Sequence, residues 1–259
     1  MALIDCKFHS HALEMAASIQ VVVPEPPPDA DFSRVQPPRR YPCLYLLHGM
    51  SDDETIWQRR TSVERYVEGM PLVVVMPNAH RSFYTDMHAG HRYGTFMTAE
   101  LPRLVEALFP VSDRRENRFV AGLSMGGYGA FRLALRHPEI YAAAASLSGA
   151  LDAARLLREN GRPEFHDIFG NADAFSGSDN DLFALATGVA RSRPVPHLFQ
   201  WCGTEDWLLE DNRRFHEHAK SIGLEIAYRE SPGGHEWACW DTQIQRVLSW
   251  LKSNSKALA

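Results

Sequence analysis

Ser124 lies in Gly122-Leu123-Ser124-Met125-Gly126, a G-x-S-x-G pattern, with two more glycines at Gly127 and Gly129. A serine hydroxyl becomes a nucleophile when the backbone presents it and a base takes its proton. The pattern meets the first condition where an apolar strand precedes it and a helix follows. Here "RFVAGL" precedes the serine and "GGYGAFRLALRHP" contains the residues that follow. A sharp turn holds such a serine in a strained conformation. Residues two positions to either side must be small, because strand and helix converge there. The new helix also aims free N–H groups and its positive dipole end at the place where an oxyanion would form. A phosphate-binding loop is the competing use of such glycines, but neither G-x-x-x-x-G-K-[ST] nor G-x-G-x-x-G occurs.

A nucleophilic serine needs a histidine, and the histidine needs an orienting carboxylate. In a strand–turn–helix setting of this kind the chain order is serine, acid, histidine. Downstream, "HLFQWCG" runs into "TEDWLLEDN", which offers Glu205, Asp206, Glu210 and Asp211. A carboxylate just past a strand's C-terminal end lies on the active edge of a parallel sheet. Asp206, a short acid close behind the strand, is preferred, and Asp211 reads as a helix N-cap. His235, in "ESPGGHEWACWD", follows the last strand-like run and is the candidate base. His216 and His218 fall mid-helix and are expected to face solvent, and His48 is expected to shape a loop. Acyl transfer through Ser124 would also need backbone N–H donors for the oxyanion. The residue after the nucleophile, Met125, supplies one, and the loop after "YLLHG" points to Met50 for the other.

The elements that must position these groups are legible as short apolar runs. They are "SIQVVVPEP", "CLYLLHG", "LVVVMP", "RFVAGLS", "AAAASLSG", "HLFQWCG" and "EIAYRES". Several are apolar on both faces, as strands of a parallel sheet covered on both sides are. Helical spacing falls between them, over Leu101–Leu108, where Pro102 is tolerated in a first turn and kinks the helix otherwise, after Ser124, in "DNRRFHEHAKSIG", and in "WDTQIQRVLSWLK". This alternation predicts an α/β fold with a mostly parallel sheet and helices on both faces. The proline-rich segment 24–42 reads as a surface loop. The interval 151–196 breaks the rhythm with two short helix-like pieces. It reads as an insertion over the active edge of a single 259-residue domain.

Composition excludes several function classes. A net charge of −5 gives no support to nucleic acid or an anionic membrane as partner. No run approaches the roughly 18 apolar residues of a membrane helix, and the N-terminal stretch has no apolar core of a signal peptide. The four cysteines lack C-x-x-C spacing, which fits reduced thiols in a cytoplasm. His9 with His11, and His80, His88 and His91, could be imagined as metal ligands. No H-E-x-x-H occurs, and neither metal nor cofactor is expected.

Taken together, "YLLHGMSDDETIW", "VVVMPNAHRSFYTD", "AGLSMGGYGAFRLALRHP", "CGTED" and "PGGHEWACWD" resemble the esterase D-like branch of the α/β-hydrolases. The resemblance runs from about Ile4 to Leu251 and looks most like bacterial tributyrin esterases. S-formylglutathione hydrolases, feruloyl and acetylxylan esterases and mycolyltransferases are relatives. It implies an α/β-hydrolase fold, a Ser124–His235–Asp206 triad and an oxyanion hole at the amides of Met50 and Met125. It also implies hydrolysis of a small-molecule acyl ester, acetyl to butyryl, with a homo-oligomer possible. S-formylglutathione hydrolases typically carry Ser-Gly-Leu where this chain has His48-Gly49-Met50, which weighs against glutathione thioesters. Thioester hydrolysis or acyl transfer by the same triad is the alternative, and a catalytically silent binding protein is a third reading. Trp57, Tyr84 and Trp237 fall at the expected active edge. They either wall an acyl or sugar pocket or pack as ordinary loop residues, and the sequence leaves both open.

Overall fold

The computed structural model describes residues 1–26, 40–159 and 162–258. Most of the proline-rich segment 24–42 lies outside them. Eight strands among the described residues form one sheet: β1 (Ala2–Ser10), β2 (Met15–Val23), β3 (Cys43–Leu47), β4 (Val73–Pro77), β5 (Arg118–Leu123), β6 (Ala143–Leu147), β7 (His197–Gly203) and β8 (Ala227–Ser231). Their order is β1-β2-β4-β3-β5-β6-β7-β8. The β1–β2 and β2–β4 pairs are antiparallel, and every pairing from β4 across to β8 is parallel. The sheet is mostly parallel, as the alternation of strand and helix predicts, and has the α/β-hydrolase arrangement that the resemblance implies. β1 left a weak signature, because much of this edge strand is exposed and it carries Asp5, Lys7 and His9. His9 is in β1, whereas His11 lies in the turn beyond it.

Strands β3 to β6 are buried along their whole length, which is why they read as continuous apolar runs. Side chains alternate between two cores. Tyr45 and Leu47 of β3 point into one with Tyr128, Phe131 and Phe215, while Leu44 and Leu46 point into the other with Trp57, Ile244 and Val247. Each fully buried Val or Leu contributes roughly 1.5–3 kcal/mol. The helix Met125–Arg136 thus covers one face, and the final helix Trp237–Asn254 covers the other with a stripe of Ile244, Val247, Leu248 and Leu251.

The structure settles three local readings. Pro102 is not at a free helix start: the π-helical turn Phe96–Glu100 runs directly into Leu101–Leu108. A proline leaves a carbonyl one turn back without its usual partner, and a widened turn is a common accommodation. Asp211 is not an N-cap, because the helix Leu209–Ser221 starts before it. Its buried carboxylate instead accepts from Arg155 Nε at 2.8 Å and Nη2 at 2.6 Å, and from Arg214 Nη2 at 2.5 Å. Among its described residues the interval 151–196 contains four short helices, not two: Ala153–Glu159, Pro163–Phe169, Ala172–Phe175 and Leu182–Ala190. Phe165 and Phe169 pack against Phe83 with ring centres 5.6 and 5.2 Å away, so the insertion shares the core of the sheet.

Candidate active site

Ser124 stands between β5 and the helix Met125–Arg136 with φ 52° and ψ −117°, a left-handed conformation unusual for a residue with a side chain. Its neighbours lock it there. Its N–H donates to Leu147 O at 2.9 Å, and its carbonyl accepts from Tyr128 N at 3.1 Å and Ala150 N at 3.2 Å. The two glycines of the pattern are needed for close approach. A Cβ on Gly122 would strike the carbonyl of Gly126, and one on Gly126 would lie 2.6 Å from Leu47 O.

The acid and base reach this turn from two later strands. His235 Nε2 is 3.0 Å from Ser124 Oγ, and its Nδ1 is 2.9 and 3.1 Å from Asp206 Oδ2 and Oδ1. With Nδ1 protonated, Nε2 is free to accept the serine proton. Asp206 is buried, and its Oδ1 also accepts from Leu208 N at 2.9 Å. Burial pushes its pKa up, but the His235 contact, the Leu208 N–H and the Ser148 hydroxyl outweigh that and hold it below the usual carboxylate range. Glu210 is exposed and pairs with Arg213, so it takes no part in this arrangement.

Residues 10–251 match the model of the "Putative esterase" family. The chain belongs to this family. An acetyl esterase of Caldicellulosiruptor saccharolyticus is 29% identical over 268 residues, covering 98% of this chain and 100% of that one. Among solved structures, the substrate-bound fluorophosphonate-binding serine hydrolase F of Staphylococcus aureus superposes with a TM-score of 0.89 at 33% identity, covering 96% of this chain and 98% of that one. The S-formylglutathione hydrolase FrmB of the same organism gives 0.86 at 34% identity with the same coverage. The protein is therefore a serine hydrolase of the carboxylic-ester class.

In this esterase the backbone N–H of Met125 begins a helix, where amides have no intrahelical acceptor. Neither it nor the N–H of Met50 has an acceptor among the described residues, and both residues line the cleft above Ser124. The loop carrying Met50 is pinned from below by His48. Its Nδ1 donates to Gly49 O at 2.7 Å while its Nε2 accepts from Ala79 N at 2.9 Å. Burial lowers the His48 pKa to about 4, so the ring is neutral at pH 7 and both bonds persist.

The three aromatic candidates separate. Trp237 lines the cleft, half-buried. Trp57 and Tyr84 are fully buried beneath it and do not reach it. Trp57 Nε1 donates to Leu47 O at 3.1 Å and Tyr84 Oη to His48 O at 3.0 Å, so both brace the backbone leading to Met50. The sequence placed all three at the right edge but could not tell depth, because a large aromatic suits a wall and a foundation equally. His216 and His218 are not free on a solvent face either. His216 stacks on Tyr228 at 4.3 Å, and His218 Nε2 lies 3.1 Å from Thr187 Oγ1.

Further residues escaped the sequence reading. Trp207 is 59% exposed and stands 5.3 Å from the His235 ring. Trp240 meets the same ring edge-on at 4.9 Å and donates from Nε1 to Ser148 Oγ at 3.1 Å. Trp207 directly follows Asp206, and Ser148 sits in "SLSG" at the end of β6, so position past a strand end was the available signal. The cleft holds about 760 Å³. Leu123, Met125, Leu156 and Phe165 give it an apolar side, and exposed Arg60, Arg81 and Arg162 stand at its rim. Among the described residues no three His, Cys, Asp or Glu side chains are grouped to hold a metal ion. No helix there is long and apolar enough to cross a membrane.

Proposed function

We propose that Ser124, His235 and Asp206 form the catalytic triad of an esterase acting on short acyl esters, acetyl to butyryl, through an acyl-enzyme. The observation that carries this is the unbroken chain of contacts from Asp206 through His235 to Ser124 Oγ, beside two amides without acceptors. Ser124 Oγ bonds to the ester carbonyl carbon as His235 Nε2 takes its proton, and the carbonyl π pair moves onto the oxygen to form an oxyanion. The N–H groups of Met50 and Met125 hold that oxyanion, each such donor being worth roughly 3 kcal/mol of barrier. Collapse breaks the bond to the leaving alkoxide, which receives the proton from His235. Water then repeats the sequence on the acyl-serine and releases the acid. Asp206 keeps the proton on Nδ1 and stabilises the imidazolium in both halves.

A short acyl group is supported by the full-length similarity to an acetyl esterase and by the bulk of Phe165 and Leu156 over the apolar side of the cleft. The test is a rate series over acyl lengths and leaving groups, acetylated sugars included. The reading expects kcat/KM to peak between acetyl and butyryl, and a maximum at octanoyl or longer would overturn it. Thioester hydrolysis by the same triad is favoured by one observation, the likeness to an S-formylglutathione hydrolase. Acyl thioesters assayed beside matched oxygen esters separate the two readings.

A further inference from the structure

Glu205 is next to the proposed triad acid, yet its side chain is exposed and does not line the cleft. It turns toward the loop that carries His235. The Gly233 N–H donates to Glu205 Oε2, and the Glu205 N–H donates back to Gly233 O at 3.1 Å. The Thr204 hydroxyl donates to Glu205 Oε1 at 2.8 Å, and Thr204 N–H reaches Ser231 O at 3.0 Å. Backbone meets backbone here, since a Cβ on Gly203 would overlap the Gly233 carbonyl.

The loop from Pro232 to Glu236 contains two consecutive glycines, and Gly233 has φ +133°, a conformation that only glycine holds easily. Such a loop has much freedom to lose and few side chains to hold it. A proton relay, by contrast, needs its atoms fixed to a fraction of an ångström. A carboxylate accepting a backbone N–H is among the stronger restraints available at a surface. The Gly233 N–H accordingly holds the Glu205 carboxyl below its ordinary pKa.

We propose that Glu205 is a positioning residue: its carboxylate clamps the Gly233 amide and so fixes the His235 loop against the loop bearing Asp206. The proposal rests on the triad reading above. It predicts a kcat effect without a KM effect, because Glu205 touches the loop and not the cleft. Reach and charge can be separated. Glu205→Ala and Glu205→Asp both lose the contact, the second while keeping the charge. Glu205→Gln keeps an oxygen at the right length without the charge.

The experiment measures kcat and KM on a short-chain aryl ester for the three variants, with folding checked by circular dichroism. The expected result is a 10- to 100-fold fall in kcat for Glu205→Ala and Glu205→Asp with KM within about twofold. Glu205→Gln should recover to within about threefold of the parent. Near-parental kcat in Glu205→Ala, or a Glu205→Asp variant more active than Glu205→Gln, overturns the clamp. His235→Ala, run alongside, reports on the triad separately: if that variant keeps its turnover, the triad reading fails instead.

Discussion

In the proposed triad, Asp206 fixes which nitrogen of His235 carries a proton. Replacing it with asparagine keeps the shape but allows the amide to donate to Nδ1, which leaves the proton on Nε2, the nitrogen that must accept from serine. Asp206→Asn should therefore lower kcat by about 10⁴-fold while the protein stays folded, read by steady-state kinetics. His48 makes the second argument at this scale. Its folded pKa of about 4 lies below the ordinary 6.5 because of burial, so the unfolded chain binds the extra proton first. The stability tied to the neutral ring is present above pH 6.5 and is lost as pH falls toward 4. The loss is on the order of 3 kcal/mol. Urea unfolding at pH 7 and pH 4.5 should show this loss, and His48→Gln should flatten the dependence across that window.

At the scale of elements, the proposed catalytic groups come from loops, and the sheet decides where the loops meet. Ser124 follows β5, Asp206 follows β7 and His235 follows β8, all on one edge of parallel strands. This much was legible, because buried parallel strands write themselves as apolar runs and an acid or histidine after such a run has few other places to be. What was not legible is depth and pairing. Trp57 and Tyr84 look like pocket aromatics in sequence and turn out to be foundations, since the difference depends on which carbonyl each ring can reach. Asp211 looks like a cap and turns out to bind two arginines, because its partner Arg155 comes from the insertion 56 residues earlier. That network ties the helix Ala153–Glu159 to Leu209–Ser221. Asp211→Ala should cost about 1–2 kcal/mol in urea unfolding, because Arg155 keeps Glu159 and the exposed Arg214 keeps Asp152 when the shared buried anion is lost.

For the whole molecule, the fold supplies an open cleft whose floor is the Ser124 turn and whose apolar side comes partly from the insertion. In the proposed reaction, substrate choice follows from how far Phe165 and Leu156 let an acyl chain run. Phe165→Ala should shift the preference toward longer acyl chains, by about tenfold in relative kcat/KM per well-placed methylene. It should also weaken the fold by about 3–5 kcal/mol, because the ring is buried against Phe83. The proposed reaction depends on Ser124 being the activated nucleophile. Intact-mass and peptide mass spectrometry after treatment with a fluorophosphonate tests this most directly. The expected result is one adduct per chain, located on Ser124, formed rapidly in the parent and much more slowly in His235→Ala. A folded parent protein left unlabelled at Ser124, or labelled equally fast without His235, would contradict it.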